Sequence, residues 1–389
     1  MRVEELALED FRNYGTERVS FASGLNLVIG RNAQGKTNLL EAVYCLSGFG
    51  SPRSPDATVV ARGADAARLH AVVARGERRT RVDLELRPGR GTRALVNGTP
   101  VPGARALGAV VTTVFFGPDE LSLVKGSPDG RRRFLDELTV KLRPARDALR
   151  REWERVLKQR NALLKSAPRA GSAAVARTLD VWDESLCRAG AALAAARLEA
   201  LGRLLPHAVE RYRALAGAGA LELEYASAWI DDDTRRAAVE APGSVDVETL
   251  RTALARRVEE VRDREIERGA SLVGPQRDDV VVRLTSADES AALDARAFAS
   301  QGEQRTAALA LKLGEHDLLT DALVEQPVLL LDDVFSELDP GRRAWLADAV
   351  RTMGQTLLSS ADPAAVGEAR PERVVTIAGG RAEIGPEPA

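Results

Sequence analysis

The chain of 389 residues carries a formal net charge of −2, is 44% hydrophobic and 29% charged, and so has the composition of a soluble globular protein large enough for two domains. Its two cysteines, Cys45 and Cys187, are far apart, which excludes a disulfide framework and a C-x-x-C zinc site. The N-terminus lacks the apolar core of a signal peptide, and no apolar run is long enough to span a bilayer. We therefore expect a cytoplasmic protein with no membrane partner.

Charges are distributed unevenly along the chain. Residues 131–169 contain 13 basic and 5 acidic residues, a net of +8, whereas residues 315–389 contain 6 basic and 14 acidic residues, a net of −8. Residues 68–93 add eight arginines against three acidic residues. Such asymmetry is typical both of anion-binding surfaces and of ordinary solvated faces. The charge pattern alone therefore does not establish a nucleic-acid partner.

Apolar residues among polar neighbours predict two or three strands over residues 3–29, ending in the buried run Leu25–Ile29. The next eight residues, GRNAQGKT at positions 30–37, match the phosphate-binding pattern G-x-x-x-x-G-K-[ST], and an apolar-sided helix follows. In this context the loop N–H groups and the helix N-terminus bind phosphate, Lys36 reaches the β- and γ-phosphates, and Thr37 binds Mg²⁺. We therefore expect a nucleoside triphosphate site formed by Gly30, Arg31, Asn32, Ala33, Gln34, Gly35, Lys36, Thr37 and Asn38.

A β-meander is predicted over residues 69–101, because apolar and charged residues alternate between Val82 and Arg87 and Asn97-Gly98 is a hairpin-turn signal. Residues 110–116 predict another buried strand. Three helical stretches follow, an arginine-rich one from Arg131 towards Leu164, one from 173 to 215 and one from 246 to 269. We expect a loop at 168–172 and an interruption near Pro206. These helices are too short for a long coiled-coil arm and predict a compact helical lobe.

The second half of the chain contains two further motifs. Ser300 and Glu303 form a capping box, which predicts a helix with free N–H groups at its start. The apolar strand 328–332 ends in Asp332 and Asp333, and a buried carboxylate is costly unless a cation or hydrogen bonds compensate it. We expect Asp332 to hold the Mg²⁺ of the nucleotide and Asp333 to polarise the attacking water. Lys36, Asp332 and Asp333 are thus the predicted catalytic residues.

A helix over 342–353, a strand over 356–360 and a hairpin at Gly379-Gly380 are expected to complete the nucleotide-binding domain. The order of these motifs along the chain resembles that in the ABC-type ATPases of the SMC class. The residues within the motifs resemble those of the RecF family of bacterial recombination mediators. The resemblance implies an α/β fold, a P-loop ABC/SMC-like ATPase head with mixed sheets and an inserted compact helical lobe. Residues 1–120 with 310–389 would form the nucleotide-binding lobe, and residues 121–309 the largely helical lobe. The stretches that carry the resemblance are residues 10–14, 30–37, 123–128, 131–136, 274–279, 300–305 and 331–339.

The same resemblance implies further nucleotide contacts. Ser300, Gln301 and Gly302 would contact the γ-phosphate of a nucleotide bound by the opposite subunit. Asp339 would lie across the dimer interface, and Arg12 and Asn13 near the adenine. The chain departs from the ABC pattern in having Asp333 where Glu is usual, Gln301 in the signature, and Ser359, Ser360 or Ala361 where His is usual. These departures imply slow hydrolysis of ATP.

The function implied by the resemblance is that of a weak, DNA-stimulated ATPase that dimerises on ATP and helps to load a recombinase at gapped or stalled DNA. Its implied partners are duplex DNA and single-strand/duplex junctions, without sequence preference, together with RecR, RecO and RecA. A nucleotide-binding subunit of a transporter or of another ABC/SMC-type machine is the alternative, whereas a GTPase is disfavoured because no Asn-Lys-x-Asp motif occurs. The candidate DNA-binding residues are Arg131, Arg132, Arg133, Arg79 and Arg81.

Overall fold

A computed structural model describes residues 1–54, 58–170, 172–285, 291–362, 366 and 369–385, without the side chains of residues 167–177. The chain folds into two compact units. Unit 1 contains residues 1–121, 214–217 and 308–389, and unit 2 contains residues 122–213 and 218–307. Within the described ranges, no helix has the length and apolarity needed to cross a membrane.

Unit 1 is built mainly from two six-stranded sheets. Its elements are β1 (Arg2–Phe11), β2 (Tyr14–Ser20), β3 (Leu25–Ile29), α1 (Lys36–Cys45), β4 (Ala67–Arg75), β5 (Arg78–Arg87), β6 (Gly91–Val96), β7 (Thr99–Pro100), β8 (Thr113–Phe116), β12 (Val328–Asp332), α10 (Pro340–Val350), β13 (Thr356–Ser360), β14 (Arg373–Ala378) and β15 (Arg381–Ile384). Unit 2 contains α2 (Ser122–Lys125), α3 (Pro128–Leu142), α4 (Asp147–Ala170), most of α5 (Ser172–Ala216), β9 (Ala220–Ala226), α6 (Asp232–Glu240), α7 (Val247–Arg268), β10 (Asp279–Thr285), β11 (Leu293–Asp294) and α8 (Ala295–Phe298). Helix α9 (Gln301–Leu323) begins in unit 2 and continues in unit 1.

The sheet that positions the predicted site has the order β15-β14-β3-β13-β12-β8, and all its neighbouring strands are parallel except β15. Every residue of β8, β12 and β13 is buried, as is typical of parallel strands covered on both faces. Asp332 pairs with Ser359, and Ser360 pairs with Ile29. Because parallel strands end at one edge, this register brings the P-loop and the strand-end carboxylates together.

The second sheet of unit 1 is antiparallel, in the order β2-β1-β4-β5-β6-β7. It confirms the predicted meander, since β5 alternates exposed and buried residues. The turn between β6 and β7 has Asn97 at φ 50° and Gly98 at φ 79°, which is the left-handed pair of a tight hairpin. The strand predicted at 110–116 is shorter than expected, because a 3₁₀ helix occupies 104–109 and β8 starts only at Thr113.

Unit 2 differs from the prediction in three places. The loop expected at 168–172 is wrong at the described residues, because α4 continues to Ala170 and α5 begins at Ser172; residue 171 lies outside the described part of the chain. Pro206 does not interrupt α5, which continues from Ser172 to Ala216 with the proline exposed on its surface. Strand β9 and helix α6 were not predicted; α6 begins where Asp231 accepts the N–H of Thr234 at 2.8 Å. The helix predicted at 246–269 is confirmed as α7, with an Asp246 cap and Gly269 at φ 66°.

Candidate nucleotide-binding site

The predicted P-loop lies between β3 and α1, as its sequence requires. Gly35 has φ 122°, and a Cβ there would lie 2.8 Å from Asn13 Nδ2 and 2.9 Å from the Tyr14 hydroxyl oxygen. Only glycine fits such a backbone. The Tyr14 hydroxyl donates a hydrogen bond to the Gly35 carbonyl at 2.8 Å, which fixes the loop from the β2 side. Residues 31–33 of the P-loop, which are also predicted nucleotide ligands, are exposed.

Lys36 extends back across this loop. Its Nζ donates to the Gly30 carbonyl at 2.7 Å and to the Arg31 carbonyl at 3.1 Å, and the residue is only 7% exposed. Burial lowers the pKa of Lys36, whereas Asp333 and Asp332 act in the opposite direction. The ammonium group is therefore held over the loop by groups that phosphate oxygens can replace.

The strand-end carboxylates lie beside the start of α1. The Thr37 hydroxyl donates to Asp332 Oδ1 at 2.9 Å, although the two residues are 295 positions apart in the chain. The Ser359 hydroxyl donates to the same oxygen at 2.5 Å, and the Asp333 N–H donates to Ser359 Oγ at 3.1 Å. Burial raises the pKa of Asp332, against the hydrogen bonds from Ser359 and Thr37. Ser359, one of the three residues named where His is usual, therefore holds both carboxylate residues in position.

The donor set at this corner fits Mg²⁺. The hydroxyl of Thr37 and the carboxylate of Asp332 are oxygen ligands of the kind that Mg²⁺ takes alongside nucleotide phosphates. Asp333 Oδ1 is buried and has no hydrogen-bond partner among the described residues. A buried carboxylate oxygen of this kind is costly without a ligand, water or ion to compensate it. These residues could hold the metal, and Asp333 a water beside it.

Strained backbone is concentrated at the same place. In the described part of the chain, seven residues other than glycine have positive φ, and four of them are Asp10, Arg12, Ala33 and Asp333. These four belong to the first hairpin, the P-loop and the end of β12, that is, to the predicted nucleotide motifs. Left-handed backbone at non-glycine residues costs free energy and occurs preferentially at functional sites.

The two residues expected near adenine have different surroundings. Asn13 contacts the P-loop directly: its Nδ2 donates to the Gln34 carbonyl at 2.8 Å, and its Oδ1 accepts from Asn38 Nδ2 at 2.8 Å. Arg12 is instead held by α1, since its guanidinium donates to both carboxylate oxygens of Glu41 at 2.9 and 2.7 Å. The fully buried Glu41 thus fixes the first hairpin against the helix that follows the P-loop.

The terminal hairpin contacts the P-loop, and this contact was not predicted. The Gly379 N–H donates to Gln34 Oε1 at 2.7 Å, and the Gly380 N–H donates to the Gln34 carbonyl at 3.1 Å. The side chain of Gln34, expected to bind nucleotide, is therefore hydrogen-bonded to the turn between β14 and β15. Two adjacent glycines were a signal of a close backbone approach, but not of its partner.

The predicted signature lies in unit 2. The capping box is confirmed: Ser300 Oγ donates to Glu303 Oε2 at 2.7 Å and accepts the Glu303 N–H at 3.3 Å. Gln301 and Gly302 are exposed at the start of α9. Asp339, in unit 1, caps α10 by accepting the Arg342 N–H at 3.0 Å, and this hydrogen bond lowers the pKa of Asp339.

The structure corrects one candidate DNA ligand. Arg131 is 6% exposed, and its guanidinium binds both Asp279 oxygens at 2.7 and 2.8 Å and the Gly126 carbonyl at 2.9 Å. Each of its three guanidinium nitrogens donates a hydrogen bond inside unit 2, and the buried side chain is therefore not available to phosphate. Arg132 is largely covered too and donates to the Asp278 carbonyl at 2.6 Å. Arg133 is half exposed and paired with Glu137.

The two meander candidates are more accessible. The side chains of Arg79 and Arg81 are 65% and 63% exposed and pair with Glu4 and Asp83. Exposed ion pairs are weak, so phosphate can compete for both arginines.

The motif at residues 274–279 serves the fold of unit 2. The Pro275 carbonyl accepts from the buried Arg197 at 2.7 Å, and Arg197 pairs with Asp136. The Asp278 carboxylate accepts from the Tyr225 hydroxyl at 2.8 Å and from Trp229 Nε1 at 3.0 Å. Together with the Asp279–Arg131 pair, these contacts join α3, α5 and the β9–β10 sheet, which is why the motif needs those polar residues.

Comparison with known proteins gives concordant results. A family model described as the RecF/RecN/SMC N terminal domain matches residues 2–382. The DNA replication and repair protein RecF of Beutenbergia cavernae is 44% identical over 391 residues, which cover 96% of this chain and 96% of that protein. The protein of the same name from Streptomyces avermitilis is 44% identical over 372 residues, covering 93% and 94%.

Solved structures show the same relationship. A structure of the recombination mediator protein RecF with ATP, in the RecFOR pathway, is similar with a TM-score of 0.87 at 25% identity, covering 99% of this chain and 97% of that one. An Smc head bound to the C-winged helix domain of ScpA has a TM-score of 0.55 at 14% identity, covering 99% and 98%, and shows the shared fold alone. These likenesses confirm the predicted ABC/SMC-like head with mixed sheets.

Proposed function

The chain belongs to the RecF/RecN/SMC family, and from this membership we propose that it is an ATP-dependent DNA-binding protein of DNA replication and repair. It dimerises on ATP and promotes recombinase loading at gapped or stalled DNA in recombinational repair and replication restart. The names of its relatives support the process, and the ATP in the similar RecF structure supports the ligand. The observation that carries the nucleotide assignment is the 2.9 Å hydrogen bond between Thr37 of the P-loop and Asp332 at the end of β12.

In this proposal, residues 1–120 with 310–389 form the nucleotide-binding lobe. The P-loop N–H groups and Lys36 bind the phosphates, with Lys36 exchanging two carbonyl acceptors for phosphate oxygens. Mg²⁺, held by Thr37 and Asp332, neutralises phosphate charge when it is bound. Asp333 orients and polarises the attacking water through the carboxylate oxygen that has no hydrogen-bond partner among the described residues. Since Asp333 is one methylene shorter than the usual Glu, we expect weak ATPase activity.

The presence of the P-loop in unit 1 and of the signature in unit 2 supports the proposed dimerisation. The exposed start of α9, at Ser300, Gln301 and Gly302, offers helix N–H groups that suit a phosphate. In the family's arrangement this helix start binds the γ-phosphate of the nucleotide held by a second copy. Asp339, 53% exposed at the start of α10, would face the same partner.

Sedimentation tests the dimer directly. ATP with Mg²⁺ should convert monomers to dimers, and ADP should not, because ADP lacks the phosphate that α9 would bind. Ser300→Arg should leave ATP binding by the monomer intact and abolish the dimer. The P-loop of one copy binds the nucleotide, whereas Ser300 of the other copy contacts its γ-phosphate. A mass that is the same with and without ATP would falsify the proposal.

DNA and partner proteins complete the proposal. The DNA is duplex or a single-strand/duplex junction bound through its phosphates, and the exposed arginines of the meander are the stronger candidates. RecR, RecO and RecA are the partners in recombinase loading, and a cytoplasmic location accords with them. Binding to duplex, single-stranded and gapped DNA with ATP, ADP and no nucleotide tests this part. Binding that ignores the nucleotide would contradict it.

A further inference from the structure

Phe298 is an exposed aromatic side chain just before the signature. It is 70% exposed, whereas six of the other phenylalanines are no more than 7% exposed. An exposed phenylalanine forgoes the free energy of apolar burial, although a single exposed apolar residue is not unusual in itself. What distinguishes Phe298 is the way in which its turn is fixed.

Three hydrogen bonds hold the turn that carries Phe298. The cap residue Asp294 accepts the Arg296 N–H at 2.9 Å and so starts α8. Gln304, which is 5% exposed, reaches back from α9 and donates its Nε2 to the Ala295 carbonyl at 2.9 Å and to the Ala299 carbonyl at 3.1 Å. The side chain of Gln304 thus joins α8 to the start of α9. Such a prearranged turn lowers the entropic cost of using Phe298 in a contact.

Phe298 lies two residues before Ser300, the first residue of the signature. Consecutive Cα atoms are about 3.8 Å apart, so those of Phe298 and Ser300 are at most about 7.6 Å apart. A protein surface that contacts the exposed residues 300–302 therefore lies within reach of the exposed side chain of Phe298. In the proposed function, that surface belongs to a second copy of this chain.

We propose that Phe298 is the apolar anchor of the ATP-dependent dimer, and that it packs against the nucleotide-binding lobe of the second copy. The inference rests on the proposed function and adds to it the residue that supplies apolar contact energy beside the polar phosphate contacts. Buried aromatic anchors commonly dominate interface energetics. A symmetric dimer contains two such anchors, so one substitution removes both.

The test compares dimer dissociation constants by sedimentation over a concentration series with ATP and Mg²⁺. Phe298→Ala should raise the constant by about a hundredfold, about tenfold for each copy. Phe298→Leu should recover part of the loss. Val181→Ala, which truncates another apolar residue of unit 2 that is 66% exposed, is the matched control and should match the wild type. Titration of the dilute monomers with a fluorescent ATP derivative should give equal affinities for all four proteins.

The outcomes separate this inference from the proposed function. A wild-type protein that stays monomeric with ATP overturns both. Wild-type dimers whose dissociation constant is unchanged by Phe298→Ala overturn the anchor alone. Altered ATP affinity of the Phe298→Ala monomer also overturns it, because Phe298 would then act within one copy. Gln304→Ala keeps the phenylalanine but releases its turn, and should weaken the dimer less than Phe298→Ala does.

Discussion

The side chains of the candidate site are fixed by protein groups before any nucleotide arrives. Lys36 is held by two carbonyl oxygens, and Asp332 by two hydroxyl groups from different elements. Prearranged polar groups do not have to reorganise when charge develops, which is the main advantage of an enzyme site over water. Asp333 is the exception, since one of its oxygens has no partner among the described residues.

Asp333→Asn should retain ATP and Mg²⁺ binding but lower ATP turnover by about 10² or more, because an amide is a poor base. The variant should accumulate the ATP-bound dimer. Phosphate release and sedimentation measure the two effects. Lys36→Met is the contrasting variant and should lose nucleotide affinity itself. Unchanged turnover in Asp333→Asn would assign the base to another residue.

Asp278 gives a prediction for stability against pH. The residue is 1% exposed, and burial raises its pKa to about 6 from the ordinary 3.8, with the hydrogen bonds from Tyr225, Ser227 and Trp229 acting the other way. The folded pKa lies above the unfolded one, so the folded state binds more protons between those values. The free energy of unfolding should therefore fall as pH rises from about 4 to about 6 and then level off. The shift corresponds to about 3 kcal/mol.

Urea unfolding of the wild type and of Asp278→Asn between pH 4 and 7 measures this effect. The wild type should lose stability relative to the variant as pH rises, because the amide does not titrate. Taking the difference removes the titration of all other groups that the two proteins share. A difference that is constant over this range would show that Asp278 is ionised in the folded protein throughout.

At the scale of elements, the terminal hairpin supports the P-loop through backbone contacts. A Cβ at Gly380 (φ 74°) would lie 2.3 Å from the Asn13 carbonyl oxygen, whereas a Cβ at Gly379 (φ 57°) meets nothing within 4 Å. Both alanine variants bear the strain of positive φ, about 1 kcal/mol. Only Gly380→Ala must also push the terminal hairpin away from Asn13, which itself donates a hydrogen bond to the P-loop.

Gly380→Ala should therefore weaken ATP binding by about tenfold or more, as expected when a binding loop is displaced. Gly379→Ala is the matched control and should lower thermal stability with little change in affinity. Titration with a fluorescent nucleotide and thermal melting distinguish the two effects. Equal affinities in both variants would show that the hairpin does not position the loop.

Elements with strong local signals could be predicted from the sequence. The P-loop with its flanking strand and helix, the strand ending in Asp332 and the Ser300 capping box all depend on neighbouring residues, and the structure contains each of them. Contacts between distant segments could not be predicted. Nothing near Gln34 indicates that it meets Gly379, and nothing near Arg131 indicates that Asp279, 148 positions away, removes it from the surface.

At the scale of the whole molecule, the arginine-rich stretches differ in what they offer to DNA. Sequence composition gave the helical stretch and the meander similar weight. Burial separates them, because Arg131 stabilises unit 2 from within, whereas Arg79 and Arg81 extend from a sheet into solvent. Their carboxylate partners screen them only weakly, since exposed pairs contribute about 0–1 kcal/mol. The meander is therefore the surface on which DNA binding is best tested.

Reversing both Arg79 and Arg81 to Glu should weaken the binding of all DNA substrates alike, because phosphate contacts carry no sequence information. Each phosphate contact contributes about 0.9 to the log–log slope of affinity against salt, and a dimer loses four contacts, so the slope should shrink by about 3 to 4. Arg236→Glu with Arg256→Glu reverses two comparably exposed arginines of unit 2 and should change the slope much less. Fluorescence anisotropy over a salt series measures the slopes, with DNA-free ATP binding as a check on the site. A slope unaltered by the meander reversals, beside intact ATP binding, would place the DNA on another surface.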